Sequence, residues 1–128
     1  MRRVLEHAAV TQVGIRSLST EEAEAIPSLR TKIFYDTTMR QDPRWIESVV
    51  ETLGDPVYVT IDVDGLDPAI MPATGTPEPG GLGWYETLAL LRRVIETRNV
   101  VGCDLVELSP LLVEHQAQRT LAMDQALA

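Results

Sequence analysis

Val57-Tyr58-Val59-Thr60-Ile61-Asp62-Val63-Asp64-Gly65-Leu66-Asp67-Pro68 carries five apolar or β-branched residues straight into an Asp-x-Asp pair. Such a run, bounded by turn residues, reads as a strand buried on both faces, over residues 57–62. In extended backbone, residues two apart point the same way, so Asp62 and Asp64 are expected to aim at one point. Adjacent carboxylates repel unless a cation or a shared proton lies between them. Oxygen donors of this kind suit Mg²⁺ or Mn²⁺. A pair of loop-capping aspartates is the plainer reading. Asp67, before Pro68, is expected to cap the turn.

Three further apolar runs read as strands, at residues 9–15, 32–35 and 100–108. Helical patterns separate them. Ser19 followed by Glu22 is a capping box, and Asp42-Pro43 opens a second helix, Pro being suited to the first helical position. That helix presents Ile46, Val49, Val50 and Leu53, and Gly54 is expected to end it. A longer helix, residues 84–98, is expected to bury Trp84, Leu88, Leu91 and Ile95. The tail, 111–128, reads as one more helix. Strand–helix alternation implies an α/β fold, a three-layer parallel sheet of about four strands with helices on both faces. Between Asp62 and Trp84 lies a loop of about twenty residues rich in Gly and Pro, long enough to expect a functional role. It follows the carboxyl end of a buried strand, where open α/β sheets bind ligands.

The 128 residues allow one domain, and an apolar fraction of 45% fits a globular chain. A net charge of −8 argues against nucleic acid and against an anionic membrane. The N-terminus lacks the apolar run of a signal peptide, and no segment approaches a transmembrane span. The expected compartment is therefore cytoplasmic. The single cysteine, Cys103, lies in an apolar run and reads as a small core residue. His7 and His115 read as surface residues, and Trp45 as packing.

Several enzyme classes end a strand in Asp-x-Asp. In dehalogenase-like phosphatases a Lys downstream holds the phosphoryl site, but here no Lys follows Asp62. Nucleotide-sugar transferases use the pair to hold a metal-bound diphosphate, and nothing else in the chain supports that use. Thr60-Ile61-Asp62-Val63-Asp64-Gly65-Leu66-Asp67-Pro68, Pro72-Ala73-Thr74-Gly75-Thr76-Pro77 and Gly80-Gly81-Leu82 together resemble the signature of the ureohydrolases, the arginase/agmatinase family. Gln12-Val13-Gly14-Ile15-Arg16-Ser17 and Cys103-Asp104-Leu105-Val106-Glu107-Leu108-Ser109-Pro110 extend the likeness over about residues 1–110. The form Thr76-Pro77-Glu78-Pro79-Gly80-Gly81-Leu82 is more similar to bacterial agmatinase-type members than to animal arginases.

The resemblance implies a truncated arginase-like fold, with residues 1–128 as the C-terminal part of a ureohydrolase domain whose N-terminal half is absent. It implies two Mn²⁺ ions bridged by hydroxide, which attacks the carbon of a small guanidino substrate, agmatine-like, to give urea and an amine. Asp62 then bridges both metals and Asp64 binds one. Glu107 holds the guanidinium, and Thr76 supplies a substrate-side hydroxyl. Read without the motif, Glu107 is an exposed acid at a strand end. Arg16 is expected to be structural. The complete family member is expected to be a homo-oligomer in polyamine metabolism. The family's further ligands, a His and an Asp-x-His-x-x-Asp-like cluster, have no counterpart around His7 or His115. The chain alone is therefore expected to be incompetent. The alternative is a non-catalytic remnant that acts as an interaction module.

Overall fold

A computed structural model describes residues 3–110 of the chain. Four strands form, β1 (Val10–Ile15), β2 (Thr31–Tyr35), β3 (Val57–Asp62) and β4 (Val100–Val106). Four helices join them, α1 (Thr20–Ala25), α2 (Asp36–Met39), α3 (Trp45–Glu51) and α4 (Trp84–Thr97). The expected strand positions hold to within two residues, and β3 holds at both ends. The helix expected over 111–128, together with His115, lies outside the described residues.

Local chemistry explains the helix starts. Ser19 accepts from the Glu22 amide at 3.2 Å while Glu22 reaches back to the Ser19 amide at 3.1 Å, the reciprocal box that opens α1. Asp42 does not open α3 directly. Its side chain accepts from the Arg44 amide at 2.8 Å and from the Ser48 hydroxyl at 3.1 Å, closing a turn that delays the helix to Trp45. Gly54 does not cap this helix either. The amides of Thr52 and Leu53 turn back to the carbonyls of Val49 and Val50 and close the helix earlier.

The pairing differs from the expected single sheet. β1 pairs with β2 and β3 with β4, both parallel, as two separate two-stranded sheets among the described residues. Strand–helix alternation fixes the parallel direction but carries no information on which strands are neighbours. The two pairs share one helical layer instead. Val49 and Val50 of α3 and Leu90 and Val94 of α4 are buried together, with Val13, Phe34, Val57, Val59 and Val100 from all four strands packed on them. Each such side chain contributes roughly 1.5–3 kcal/mol when fully buried. Trp45 packs here too, as expected.

Two burial expectations are corrected. On α4 the buried stripe is Leu90 and Val94, whereas Trp84 is 56% exposed, Leu88 40% and Ile95 65%; Leu91 is half-buried. The helix carries apolar residues on adjoining stripes, so periodicity alone does not choose between them. Leu90 and Val94 are the pair that packs on Val49 and Val50 of α3, and a two-pronged bond between Arg93 and Glu47 of α3, at 2.8 and 3.0 Å, accompanies that packing. Cys103 is exposed, not core. It stands on β4, which pairs only with β3 among the described residues, and whose residues from Cys103 to Val106 are all exposed. β3 likewise alternates, with Val57, Val59 and Ile61 half-buried toward the helices and Tyr58, Thr60 and Asp62 exposed. Its second face is uncovered among the described residues.

Candidate active site

The carboxyl ends of β3 and β4 form one rim. Asp62 is the last residue of β3, and Val63–Gly65 follow as a single 3-10 turn. The pair is therefore not brought together by extended backbone, as the sequence suggested. The Asp64 amide donates to Asp62 Oδ1 at 3.2 Å, which makes Asp62 the cap of its own turn. Val63, fully buried between them, anchors the turn. The Thr76 hydroxyl donates to Asp64 Oδ2 at 3.0 Å across the long loop. Each aspartate thus has one oxygen fixed by a donor and a second oxygen without a bond among the described residues. Asp67 caps the next turn as expected, accepting from the Ala69 amide at 2.8 Å.

Glu107 follows directly on Val106, the register partner of Asp62. Its φ is +62°, the left-handed region that ordinary side chains adopt at a cost of roughly 1–2 kcal/mol. The chain on either side holds it there. β4 ends before it, and after it Leu108 pairs with Thr74 while the Ser109 amide donates to the Ala73 carbonyl at 2.7 Å. Strain over-determined in this way is a feature of functional positions.

The electrostatics join the three acids. Partial burial raises the Asp62 carboxyl above its ordinary value, although much of the residue reaches solvent. The carboxylates of Asp64 and Glu107 push it the same way, and the hydrogen bond from the Asp64 backbone amide opposes them. A rim of mutually repelling oxygens is what a hard divalent cation relieves. In that respect the donor chemistry fits a metal ion. It does not complete a site, since no group of three metal-ligating side chains forms among the described residues.

The twenty-residue loop is tied to this rim. Leu66 and Leu82 form an isolated bridge, with the Asp67 amide bonded to the Leu82 carbonyl and the Leu82 amide to the Gly65 carbonyl, both at 3.0 Å. Gly81 permits the approach, since at φ +101° an added Cβ lies 2.8 Å from the Leu66 carbonyl carbon and oxygen. Thr74 is 1% exposed with an unpartnered hydroxyl, a buried polar group that no sequence pattern singled out. An open cleft of about 450 Å³ lies beyond Arg16, lined by Tyr35, Asp36, Thr37 and Glu78, and includes neither Asp62, Asp64 nor Glu107.

A parallel α/β scaffold with paired acids at a strand end defines a class of candidate hydrolytic metal sites. The sequence profile described as "Arginase family" matches residues 1–128, and the chain belongs to that family. The N(1)-aminopropylagmatine ureohydrolase of Synechocystis is 47% identical over 113 residues, covering 87% of this chain and 37% of that protein. The mitochondrial agmatinase of Gallus gallus is 37% identical over 119 residues, covering 84% and 33%. Among solved structures, the agmatine ureohydrolase of Thermoplasma volcanium superposes with a TM-score of 0.69 at 36% identity, over 86% of this chain and 38% of that one. The arginase of Bacillus caldovelox gives 0.74 at 30% identity, over 80% and 36%. The superpositions show that the chain has part of the α/β arginase fold. The chain spans between a third and two fifths of these relatives' length. No helix of the described residues is long and apolar enough to cross a membrane.

Proposed function

We propose that this chain supplies part of a binuclear manganese site that hydrolyses a small guanidino compound, agmatine or its N-aminopropyl derivative, to urea and a primary amine. The observation that supports the reading is that Asp62, Asp64 and Glu107 lie at the adjacent carboxyl ends of the paired strands β3 and β4. Bound manganese supplies an activated water at neutral pH and a charge that polarises the substrate. Asp62 and Asp64 would hold the metal ions, Asp62 as the carboxylate shared between them, and each keeps one oxygen that no donor among the described residues occupies. Glu107 accepts two parallel N–H bonds from the planar guanidinium and fixes its orientation. Thr76, its proton committed to Asp64, has lone pairs for a substrate N–H. Water adds to the guanidinium carbon, the bond from that carbon to the alkyl nitrogen breaks, and the nitrogen leaves protonated.

The remaining ligands come from outside the described residues, and the complete assembly is a homo-oligomer. The test compares the chain alone with the chain co-expressed with the N-terminal portion of the Synechocystis relative. Urea is measured with Mn²⁺ and each guanidino substrate. The chain alone gives no turnover, and the complex gives turnover that EDTA abolishes. EDTA-insensitive urea formation, or a metal-loaded complex that forms none, refutes the reading.

A further inference from the structure

Arg16 follows the last residue of β1, and its guanidinium meets no carboxylate within ion-pair distance among the described residues. Arg40, Arg44 and Arg93 each pair with an acid. Arg16 instead spends its fork on main-chain carbonyls from three segments. Nη2 donates to Asp64 at 2.6 Å and to Glu78 at 3.2 Å, and Nη1 to Gly14 at 3.1 Å and to Gly65 at 3.4 Å. Its Nε is buried without a partner among the described residues. One side chain therefore locks the end of β1, the turn that carries Asp62 and Asp64, and the long loop beyond Thr76. β1 and β3 share no hydrogen-bonded ladder, so this clasp links the two strand pairs at the rim. A flat guanidinium spans four carbonyls at once; a lysine ammonium, with three donors on a single nitrogen, cannot.

We infer that Arg16 is the positioning residue of the acidic rim, holding the Asp62–Asp64 turn in its cation-binding geometry through backbone carbonyls while leaving both carboxylates un-neutralised. This rests on the metal-ligand reading of the two aspartates. Two rival roles make different predictions. A charge that merely tempers the acids predicts tighter cation binding when it is removed. A purely structural arginine predicts lower stability and unchanged binding per folded molecule.

The probe is Mn²⁺ added to the chain co-expressed with the N-terminal portion of the Synechocystis relative, read by paramagnetic broadening of the Asp64 and Gly65 amide signals, with hydrogen exchange measured alongside. Arg16→Lys keeps the charge and loses the fork. It is expected to weaken Mn²⁺ binding fivefold or more and to speed exchange at Leu66, Asp67 and Leu82 at least tenfold, with the Val59 and Val94 amides unchanged. Arg16→Gln is expected to weaken binding as well. Wild-type binding in Arg16→Lys, tighter binding in Arg16→Gln, or exchange that quickens uniformly through the core each overturns the proposal. If the wild-type complex shows no broadening at Asp64, the metal-ligand reading falls instead, and the exchange pattern alone still decides whether Arg16 holds the turn.

Discussion

Gly81→Ala tests whether the long loop is built to lie against the acidic turn. Gly81 sits at φ +101°, where an L-residue costs roughly 1–2 kcal/mol. Its new Cβ would lie 2.8 Å from the Leu66 carbonyl carbon and oxygen and 2.9 Å from the Asp67 amide nitrogen, all backbone atoms with no rotamer to escape into. The loop must move away, and the two bonds linking Leu82 to Gly65 and Asp67 go with it. At roughly 0.5–1.5 kcal/mol net for each bond, the combined loss is about 2–5 kcal/mol. Urea unfolding of a domain this size has a slope of roughly 1–3 kcal/mol per molar, so at a slope of about 2 the midpoint should fall by about 1–2.5 M. Gly75→Ala is the control, because an added Cβ there meets nothing within 4 Å, and it should stay within about 0.5 kcal/mol of wild type. Equal midpoints for Gly81→Ala and Gly75→Ala would refute the reasoning.

Leu90→Ala should cost about 2–5 kcal/mol, while Ile95→Ala, at a position 65% exposed, should stay within about 0.5 kcal/mol; the reverse order in denaturant unfolding contradicts the assigned face of α4. The folded Asp62 carboxyl holds its proton above the ordinary value of 3.8, so the folded state binds more protons than the unfolded one just above that pH. Asp62 therefore lowers stability as pH rises through that interval. Asp62→Asn should match wild type best near pH 3 and gain relative stability from about pH 4 upward before levelling off, and unfolding midpoints showing the opposite slope reject the repulsive rim. Thr76→Val removes the donor to Asp64, and in the co-expressed complex it should weaken manganese affinity by about tenfold, the lower end of what an outer hydrogen bond to a ligand contributes; unchanged affinity by metal titration shows that the Thr76 bond does not orient the ligand.

The parts of this molecule written in local chemistry were legible from the sequence. β3 ends at Asp62 as its apolar run requires, the Ser19–Glu22 box opens α1, and Asp67 caps its turn. What depends on partners distant in sequence was not. The stripe of α4 that goes inside is the one that meets Val49 and Val50 of α3, about 40 residues away, and hydrophobic period alone is satisfied by either neighbouring stripe. Cys103 lies in an apolar run whose cover is not among the described residues, so composition placed it inside and the structure does not. The acids were found by motif, but the turn that aligns them, the left-handed backbone at Glu107 and the four-carbonyl clasp of Arg16 are tertiary facts.

The central claim is that Asp62 belongs to the metal and Glu107 to the substrate. Metal content of the co-expressed complex, measured by elemental analysis beside urea kinetics, separates the two roles. Asp62→Ala should lose manganese, because the carboxylate shared by both ions is gone. Glu107→Gln should retain two manganese per complex and lose kcat/KM, because only the charge facing the guanidinium is removed. Two manganese retained in Asp62→Ala, or manganese lost in Glu107→Gln, contradicts the account.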